Sequence, residues 1–180
     1  MIKIGLIGCP GTGKTTVASK VSEELDIPLI VSRSFTKEIL ERDSYDYAPN
    51  NFVENFLANR DREFELVTKR IEKESKSDNF ITDRTTLEQF AYSLLRIETY
   101  SDEDIVELEQ MCRANVERYT HLFYFNRPDK IKNNGLRTVN TFFQMKVDFL
   151  IRGIIDDWEV EIIDVLCDVD DVVSLIVKNF

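Results

Sequence analysis

A glycine-rich stretch near the N-terminus decides the fold of this chain: Gly8-Cys9-Pro10-Gly11-Thr12-Gly13-Lys14-Thr15. It matches the pattern G-x-x-x-x-G-K-[ST] and lies between an apolar run at 2–7 and a segment at 14–25 whose apolar residues have helical spacing. Glycines let the backbone turn tightly and direct successive N–H groups towards phosphate oxygens, and the N-terminus of the next helix adds its positive dipole end. The stretch therefore predicts a phosphate-binding loop (P-loop) between the first strand and the first helix.

The side chains of this loop have expected partners. Lys14 is expected to neutralise the charge of the β- and γ-phosphates, and the Thr15 hydroxyl is expected to coordinate Mg²⁺. The predicted nucleotide-binding residues are Gly8, Gly11, Thr12, Gly13, Lys14, Thr15 and Thr16. The alternative is a glycine-rich turn that carries a lysine by chance, and the strand before the pattern and the helix after it disfavour that alternative.

Strand-like and helix-like segments alternate along the whole chain. Apolar runs predict strands at 2–7, 28–31, 80–82, 121–125 and 160–165, and helical spacing predicts helices at 14–25, 35–42, 52–76, 87–97, 101–118, 143–158 and 169–179. Continuous apolar strands separated by helices are typical of a mostly parallel sheet that is covered on both faces. The pattern predicts a three-layer α/β fold. Because no repeat or linker interrupts it, it also predicts a single domain over residues 1–180.

Composition disfavours several classes of protein. The formal net charge of −10 over 180 residues argues against a broad basic face for nucleic acid, because lysine and arginine supply most of the non-specific affinity for phosphate. The single histidine, His121, opens an apolar run, so neither a histidine-rich metal centre nor a Ser-His-Asp site is expected. No apolar run approaches the roughly 18 residues of a membrane span. Three widely separated cysteines and the lack of a secretory leader favour a reduced, cytoplasmic protein.

The third predicted strand ends in Asp83-Arg84, and this pair bears on the reaction. An acidic residue at the C-terminal edge of an apolar strand is typical of a carboxylate close to a bound metal, so Thr15 and Asp83 are the predicted metal ligands. ATPases that activate water usually have a second carboxylate beside the first, whereas here the next residue is Arg84. This favours transfer to a bound acceptor over hydrolysis. The alternative is that Asp83 caps the following helix and Arg84 is simply its neighbour.

A basic segment follows the fourth predicted strand. Between 126 and 140 the charged residues are Arg127, Asp129, Lys130, Lys132 and Arg137. Kinases carry at this place a lid that closes over the phosphates and excludes water. The positive charge predicts such a lid at about 126–140, and the alternative is a solvated basic loop.

Three elements, taken in order, resemble the P-loop nucleoside and nucleotide kinases: the P-loop, Asp83-Arg84-Thr85 and Asn134-Gly135-Leu136-Arg137. The resemblance is to the AAA-type ATP-binding kinase domain of nicotinamide riboside kinases and to phage-type nucleotide kinases, and it covers essentially the whole chain. It implies a five-stranded parallel sheet in the order 2-3-1-4-5, ATP with Mg²⁺, and phosphoryl transfer to a nucleoside-like acceptor. It also implies that Lys14, Asp83, Arg84 and the lid arginine Arg137 are catalytic.

The residues after the second strand bear on the acceptor. Many similar kinases that phosphorylate a hydroxyl have an acidic residue there to accept its proton, whereas this chain has Ile30-Val31-Ser32-Arg33, and Glu38 is the nearest acid. A phosphate acceptor is already ionised and benefits from a cation instead. Arg33 therefore favours a nucleoside monophosphate. The alternative is that Arg33 is a surface residue at a helix start and that Glu38 or Asp83 acts as a base.

Arg60 is a further candidate contact for the substrate. It lies in the apolar register of the predicted helix at 52–76, where an arginine either extends along the helix edge or points into a pocket. The predicted substrate-binding residues are Arg33, Arg60, Asp83 and Arg84.

These observations favour a kinase that transfers a phosphoryl group from ATP to a nucleoside monophosphate, with a deoxynucleotide as the preferred acceptor. One alternative is the same chemistry on a hydroxyl of a nucleoside or of DNA or RNA. Another is a regulatory module in which bound ATP holds a conformation that partners read. The expected partner is a small nucleotide or nucleoside and not a membrane, and the sequence leaves the base and the oligomeric state open.

Overall fold

The sheet places the P-loop at its centre. The computed structural model describes residues 1–42, 60–127, 141–165 and 168–180. The strands are β1 (Lys3–Ile7), β2 (Leu29–Ile30), β3 (Phe80–Thr82), β4 (His121–Phe125) and β5 (Ile163–Val165). Their pairings are parallel, in the order β2-β3-β1-β4-β5. The predicted five-stranded parallel sheet in the order 2-3-1-4-5 is confirmed, and the central strand β1 leads directly into the loop.

Helices alternate with these strands. The α-helices in the described residues are α1 (Lys14–Leu25), α2 (Ser32–Arg42), α3 (Arg60–Ser75), α4 (Thr86–Leu94), α5 (Asp102–Val116), α6 (Thr141–Asp157) and α7 (Val169–Val177), with a 3-10 turn at Ile97–Thr99. None of the helices in this part of the chain is both long enough and apolar enough to cross a membrane.

Each face of the sheet carries its own apolar core. Successive residues of a strand point to opposite faces, and accordingly Leu6 packs with α1 and α7 while its neighbour Ile7 packs with α4, α5 and α6. A smaller cluster joins α2 and α3 beside β2 and β3 through Ile30, Phe35 and Phe80. The predicted three-layer α/β fold is therefore confirmed.

Several element boundaries differ from the predicted ones, and two of them are set by contacts of backbone N–H groups. Helix α2 begins at Ser32 and not at 35, since the Ser32 N–H donates to Asp83 Oδ1 at 2.8 Å and a carboxylate from a distant strand thus caps the helix start. Strand β5 begins at Ile163 and not at 160, since the Val160 N–H closes the end of α6 by donating to the Ile155 carbonyl at 3.0 Å. The predicted helix at 52–76 is seen from Arg60 onwards, and its residues 52–59 lie outside the described part.

Candidate functional site

The P-loop turns through glycines that other residues could not replace without strain. Gly8 has φ 145°, and a Cβ at this position would lie 2.5 Å from the Phe125 carbonyl oxygen of β4. Gly13, at φ 91°, is the residue before α1 and also lies in the left-handed region. The loop therefore passes close against β4 and directs the N-terminus of α1 towards the space above the sheet.

Gly8→Ala is expected to lower the free energy of unfolding by about 1–3 kcal/mol, because the added methyl group meets backbone and φ is unfavourable for an L-residue. Urea unfolding followed by circular dichroism measures it. Gly153→Ala in α6 is the matched control, since no atom lies within 4 Å of a Cβ there, and it is expected to leave stability unchanged or to raise it by up to about 1 kcal/mol. Equal losses in the two variants would contradict the close approach to Phe125.

Lys14 is buried inside the loop, with only 5% of its surface exposed. Its ammonium donates to the carbonyl of Gly8, to the carbonyl of Cys9 at 2.9 Å and to Thr12 Oγ1 at 3.2 Å. Glu88 Oε1 of α4 lies 3.4 Å away and forms an ion pair with it. Burial lowers the pKa of Lys14, and the Glu88 carboxylate opposes that change. The lysine therefore lies at the floor of the loop with the Glu88 carboxylate beside its ammonium group.

Asp83 connects three elements at the C-terminal edge of the sheet. Its Oδ2 accepts a hydrogen bond from Thr15 Oγ1 at 2.8 Å, and its Oδ1 accepts one from the Ser32 N–H at 2.8 Å. Its own N–H donates to the Ile30 carbonyl at 3.3 Å. A hydroxyl and a carboxylate side by side next to a P-loop are the oxygen donors that Mg²⁺ takes in nucleotide sites, so the residues present fit this ion.

Arg84 lies next to Asp83 and is held against α4. Its guanidinium carbon lies 5.4 Å from the centre of the Tyr92 ring, within the range of a cation–π contact. Its carbonyl accepts from Thr82 Oγ1 at 2.7 Å and from the guanidinium of Arg70. The backbone and the side chain of Arg84 are thus both fixed by neighbours.

The other predicted site residues are placed differently. Arg33 is exposed in the first turn of α2, one residue after the Ser32 N–H that binds Asp83. Arg60, the first residue of α3, donates from Nε to Asp104 Oδ1 at 2.6 Å and from Nη1 to Asp61 at 3.0 Å. Arg137 and residues 128–140 of the predicted lid lie outside the described residues. The structure therefore brings Lys14, Thr15, Asp83 and Arg84 together and directs Arg60 towards the start of α5.

A family model described as "AAA domain" matches residues 3–171. The chain belongs to this AAA-domain family. The match extends from β1 through the P-loop and Asp83 into α7, so it covers every element that builds the site. No curated protein matches this AAA-domain sequence.

Solved structures of kinases and nucleotide-binding proteins share the fold of this AAA-domain protein. YorR from Bacillus subtilis, in complex with phosphorylated GDP, is 18% identical, with a TM-score of 0.60 over 98% of this chain and 94% of YorR. Deoxyadenosine kinase from M. mycoides, with dCMP and dCDP bound, is 14% identical, with a TM-score of 0.63 over 99% of this chain and 97% of the kinase. NadR, in complex with NAD and AMP-PNP, is 14% identical, with a TM-score of 0.67 over 97% of this chain and 48% of NadR. The predicted AAA-type domain is confirmed by the family match, and the predicted fold of the P-loop nucleoside and nucleotide kinases is confirmed by these structures.

Glu88 is a site residue that the sequence analysis missed in this AAA-domain protein. Only 1% of it is exposed; its Oε2 accepts from the Thr85 N–H at 3.0 Å, and its Oε1 faces Lys14. Burial raises its pKa, and Lys14 and then Arg84 oppose that rise. The spacing Thr85-x-x-Glu88 is the capping-box pattern of a helix start. The sequence thus contained a sign of the local cap, but none of the contact with the P-loop.

Arg70 is a second residue that was missed. It is 3% exposed and donates to the hydroxyls of Ser32 and Thr82 as well as to the Arg84 carbonyl. Its charge is balanced by Glu74, 3.6 Å away in the next turn of α3. Arg70 therefore holds the start of α2 against the end of β3, next to Asp83.

Gln144 of α6 is a third residue that the sequence analysis missed. Its Nε2 donates to the Pro10 carbonyl in the P-loop at 2.6 Å, while its buried Oε1 has no hydrogen-bond partner among the described residues. It connects the helix that follows the predicted lid with the outer part of the P-loop.

Proposed function

We propose that this chain is an ATP-dependent kinase that transfers a phosphoryl group to a nucleoside monophosphate, with a deoxynucleotide as the preferred acceptor. The observation that carries the proposal is the grouping at one edge of the sheet: Lys14 in the loop, the Thr15–Asp83 pair beside it, and Arg84 next in the chain. The group combines a phosphate-binding cation, a metal-binding pair and a second cation for the acceptor.

In the proposed donor site, the backbone N–H groups of the loop and Lys14 hold the phosphates of ATP. Thr15 and Asp83 are the residues that would hold Mg²⁺, which neutralises negative charge on the phosphates when it is bound. Lys14 has to exchange some of its present partners in the loop for phosphate oxygens, since its ammonium has three N–H donors and already faces Gly8, Cys9, Thr12 and Glu88. In this proposal, Lys14 therefore leaves Glu88 when it binds the phosphate.

The charges beside Asp83 support a phosphate as acceptor. Arg84 follows Asp83 in the chain, and Arg33 follows Ser32, whose N–H donates to Asp83, so both arginines belong to the chain segments that meet at this carboxylate. In the proposed acceptor site, these two cations would bind the phosphate of the acceptor. Arg60 is a weaker candidate contact, because Asp104 and Asp61 already neutralise its charge.

The carboxylates near the acceptor give less support to a hydroxyl substrate. Glu38 is ion-paired with Lys69, and both oxygens of Asp83 already accept hydrogen bonds from Thr15 and Ser32. A general base has to reach the hydroxyl proton of its substrate. Among the described residues, neither candidate base is therefore ready for that role.

A transfer assay tests the proposal against its alternatives. The protein is incubated with ATP labelled at the γ-phosphate and Mg²⁺ against panels of nucleosides, nucleoside monophosphates and oligonucleotides, with Lys14→Ala as the inactive control. We expect labelled product from monophosphates. Product from nucleosides or oligonucleotides alone would contradict the acceptor, and tight ATP binding without any transfer would indicate a regulatory module.

Arg33→Ala is expected to raise the KM for the nucleoside monophosphate about tenfold and to leave kcat nearly unchanged, because it removes a charge-assisted contact to a phosphate that is not transferred. Steady-state kinetics with the acceptor varied at saturating ATP measures it. Arg113→Ala is the control, since Arg113 is an exposed arginine on α5. Unchanged KM and kcat in Arg33→Ala would show that this residue does not bind the acceptor.

A further inference from the structure

Helix α6 exposes two large apolar side chains on one face. Phe142 is 76% exposed and Phe149 is 64% exposed, whereas the opposite face of the helix packs into the core through Val147 and Ile151. With 3.6 residues per turn, residues 142, 146, 149, 153 and 156 lie within a strip about 80° wide. All five are exposed, and we call them the α6 stripe.

The α6 stripe carries one basic and one acidic residue, and one large and one small residue, so a second copy of the stripe could match it in charge and in shape. Lys146 and Asp156 lie towards its two ends, and neither forms an ion pair with another described residue. Phe149 and Gly153 lie between them. Nothing is found within 4 Å of a Cβ at Gly153, so a large side chain can approach the backbone there.

We propose that two copies of this chain associate through the α6 stripe, with the two α6 helices antiparallel about a two-fold axis at the level of Ile151. Lys146 and Asp156 are equally far from this level along the helix, and so are Phe149 and Gly153. The axis therefore sets Lys146 of each copy opposite Asp156 of the other, and Phe149 of each copy into the space at Gly153 of the other. The interface is self-complementary, as two-fold symmetry requires.

Other registers fit less well. A parallel pair would set each charge against its own kind, and an antiparallel pair centred on Phe149 would oppose Lys146 to Arg152. Like charges placed opposite one another oppose association. An antiparallel pair centred on Ile151 places opposite charges against each other and also places a large side chain against a glycine.

The area limits the strength of this dimer. At about 200 Å² for a whole phenylalanine, the two rings expose about 280 Å² in each copy. Two copies together therefore contribute about 560 Å² of phenylalanine surface, well below the roughly 1,200 Å² at which stable complexes begin. We therefore expect a dimer that dissociates on dilution.

Sedimentation velocity of the full chain, over a wide range of protein concentration, tests the proposal. The wild-type protein is expected to shift from monomer to dimer as the concentration rises, and Phe149→Lys is expected to stay monomeric. Val106→Lys is the matched control, since Val106 is an apolar residue of α5 that is 50% exposed and lies outside the stripe, and it should dimerise like the wild type. Circular dichroism verifies that each variant is folded.

Charge exchange tests the register. Lys146→Asp and Asp156→Lys are each expected to raise the dimer dissociation constant about tenfold, and the double variant to restore it, because the opposite charges meet again. Lys76→Asp, an exposed change outside the stripe, should have no effect. A wild-type monomer at every concentration, a dimer that persists in Phe149→Lys, or a double variant without recovery would each overturn the proposal.

Discussion

Lys14→Ala is expected to lower kcat for phosphoryl transfer by at least about 100-fold. The ammonium lies at the floor of the P-loop, where it would stabilise the charge that develops on the transferred phosphoryl group, and such preorganised groups contribute about 100- to 1,000-fold. Single-turnover kinetics at saturating ATP and acceptor measures the loss separately from binding. A variant with wild-type kcat would show that Lys14 does not act on the transferred group.

Lys14→Ala is also expected to destabilise the fold, and a second substitution separates this loss of stability from the loss of catalysis. Removing Lys14 leaves the Glu88 carboxylate buried without its ion pair, which costs about 3 kcal/mol or more when one partner of a buried pair is deleted. The double variant Lys14→Ala/Glu88→Gln has no such charge. We expect the double variant to recover stability in urea unfolding and to remain as inactive as Lys14→Ala.

The stability of Lys14→Ala is expected to depend on pH in a definite direction. Burial raises the pKa of Glu88 in the folded protein, and Lys14→Ala removes the cation that opposes this rise most strongly. Since the folded state then binds the proton more tightly than the unfolded chain, the protein is relatively most stable below the ordinary glutamate pKa of about 4.3, and this stability is lost as the pH rises through the pKa of the folded state. This pH dependence of stability should vanish when Glu88 is also replaced with glutamine. If it persists in the double variant, another group titrates.

Asp83→Asn is expected to lower kcat/KM for ATP by about 100-fold and to raise the Mg²⁺ concentration needed for half-maximal rate. Asparagine keeps an oxygen that can accept from the Ser32 N–H, so α2 stays capped, but it removes the negative charge beside Thr15. Titration of the transfer rate with Mg²⁺ measures both quantities.

Asp26→Asn is the matched control for this change. Asp26 is the exposed residue after α1 at φ 49°, a conformation that asparagine also tolerates, and it lies at the end of α1 away from the loop. It should leave the Mg²⁺ dependence unchanged. An Asp83→Asn enzyme with normal Mg²⁺ dependence would refute the metal-binding role of Asp83.

Local patterns predicted the fold well. Each strand was visible as a short apolar run, and the sheet order that the P-loop kinase resemblance implied agrees with the structure. The ends of helices and strands were less predictable where a residue distant in the sequence binds the terminal backbone groups. Ser32 starts α2 because Asp83, 51 residues later in the chain, accepts its N–H.

The candidate site was predictable where one motif contains all the residues, and not where several elements meet. Lys14 and Thr15 were found because the loop has a fixed spacing, and Asp83 was found because it ends an apolar strand. Arg70 gave no such signal, since a charged residue on a helix with charges on every side looks like solvated surface until its partners from α2 and β3 are known.

By itself, the sequence determined that the chain forms a parallel α/β sheet with a P-loop at the end of its first strand, because the glycine spacing and the apolar periodicity are local properties of the backbone. Only the tertiary structure decided what surrounds Lys14. Glu88 reads in sequence as the third residue of a helix cap, and it becomes the counter-ion of the P-loop because β3 lies beside β1 and sets the start of α4 against the loop. Because both side chains are buried, the loss of either one would leave a charge that neither water nor a counter-ion stabilises.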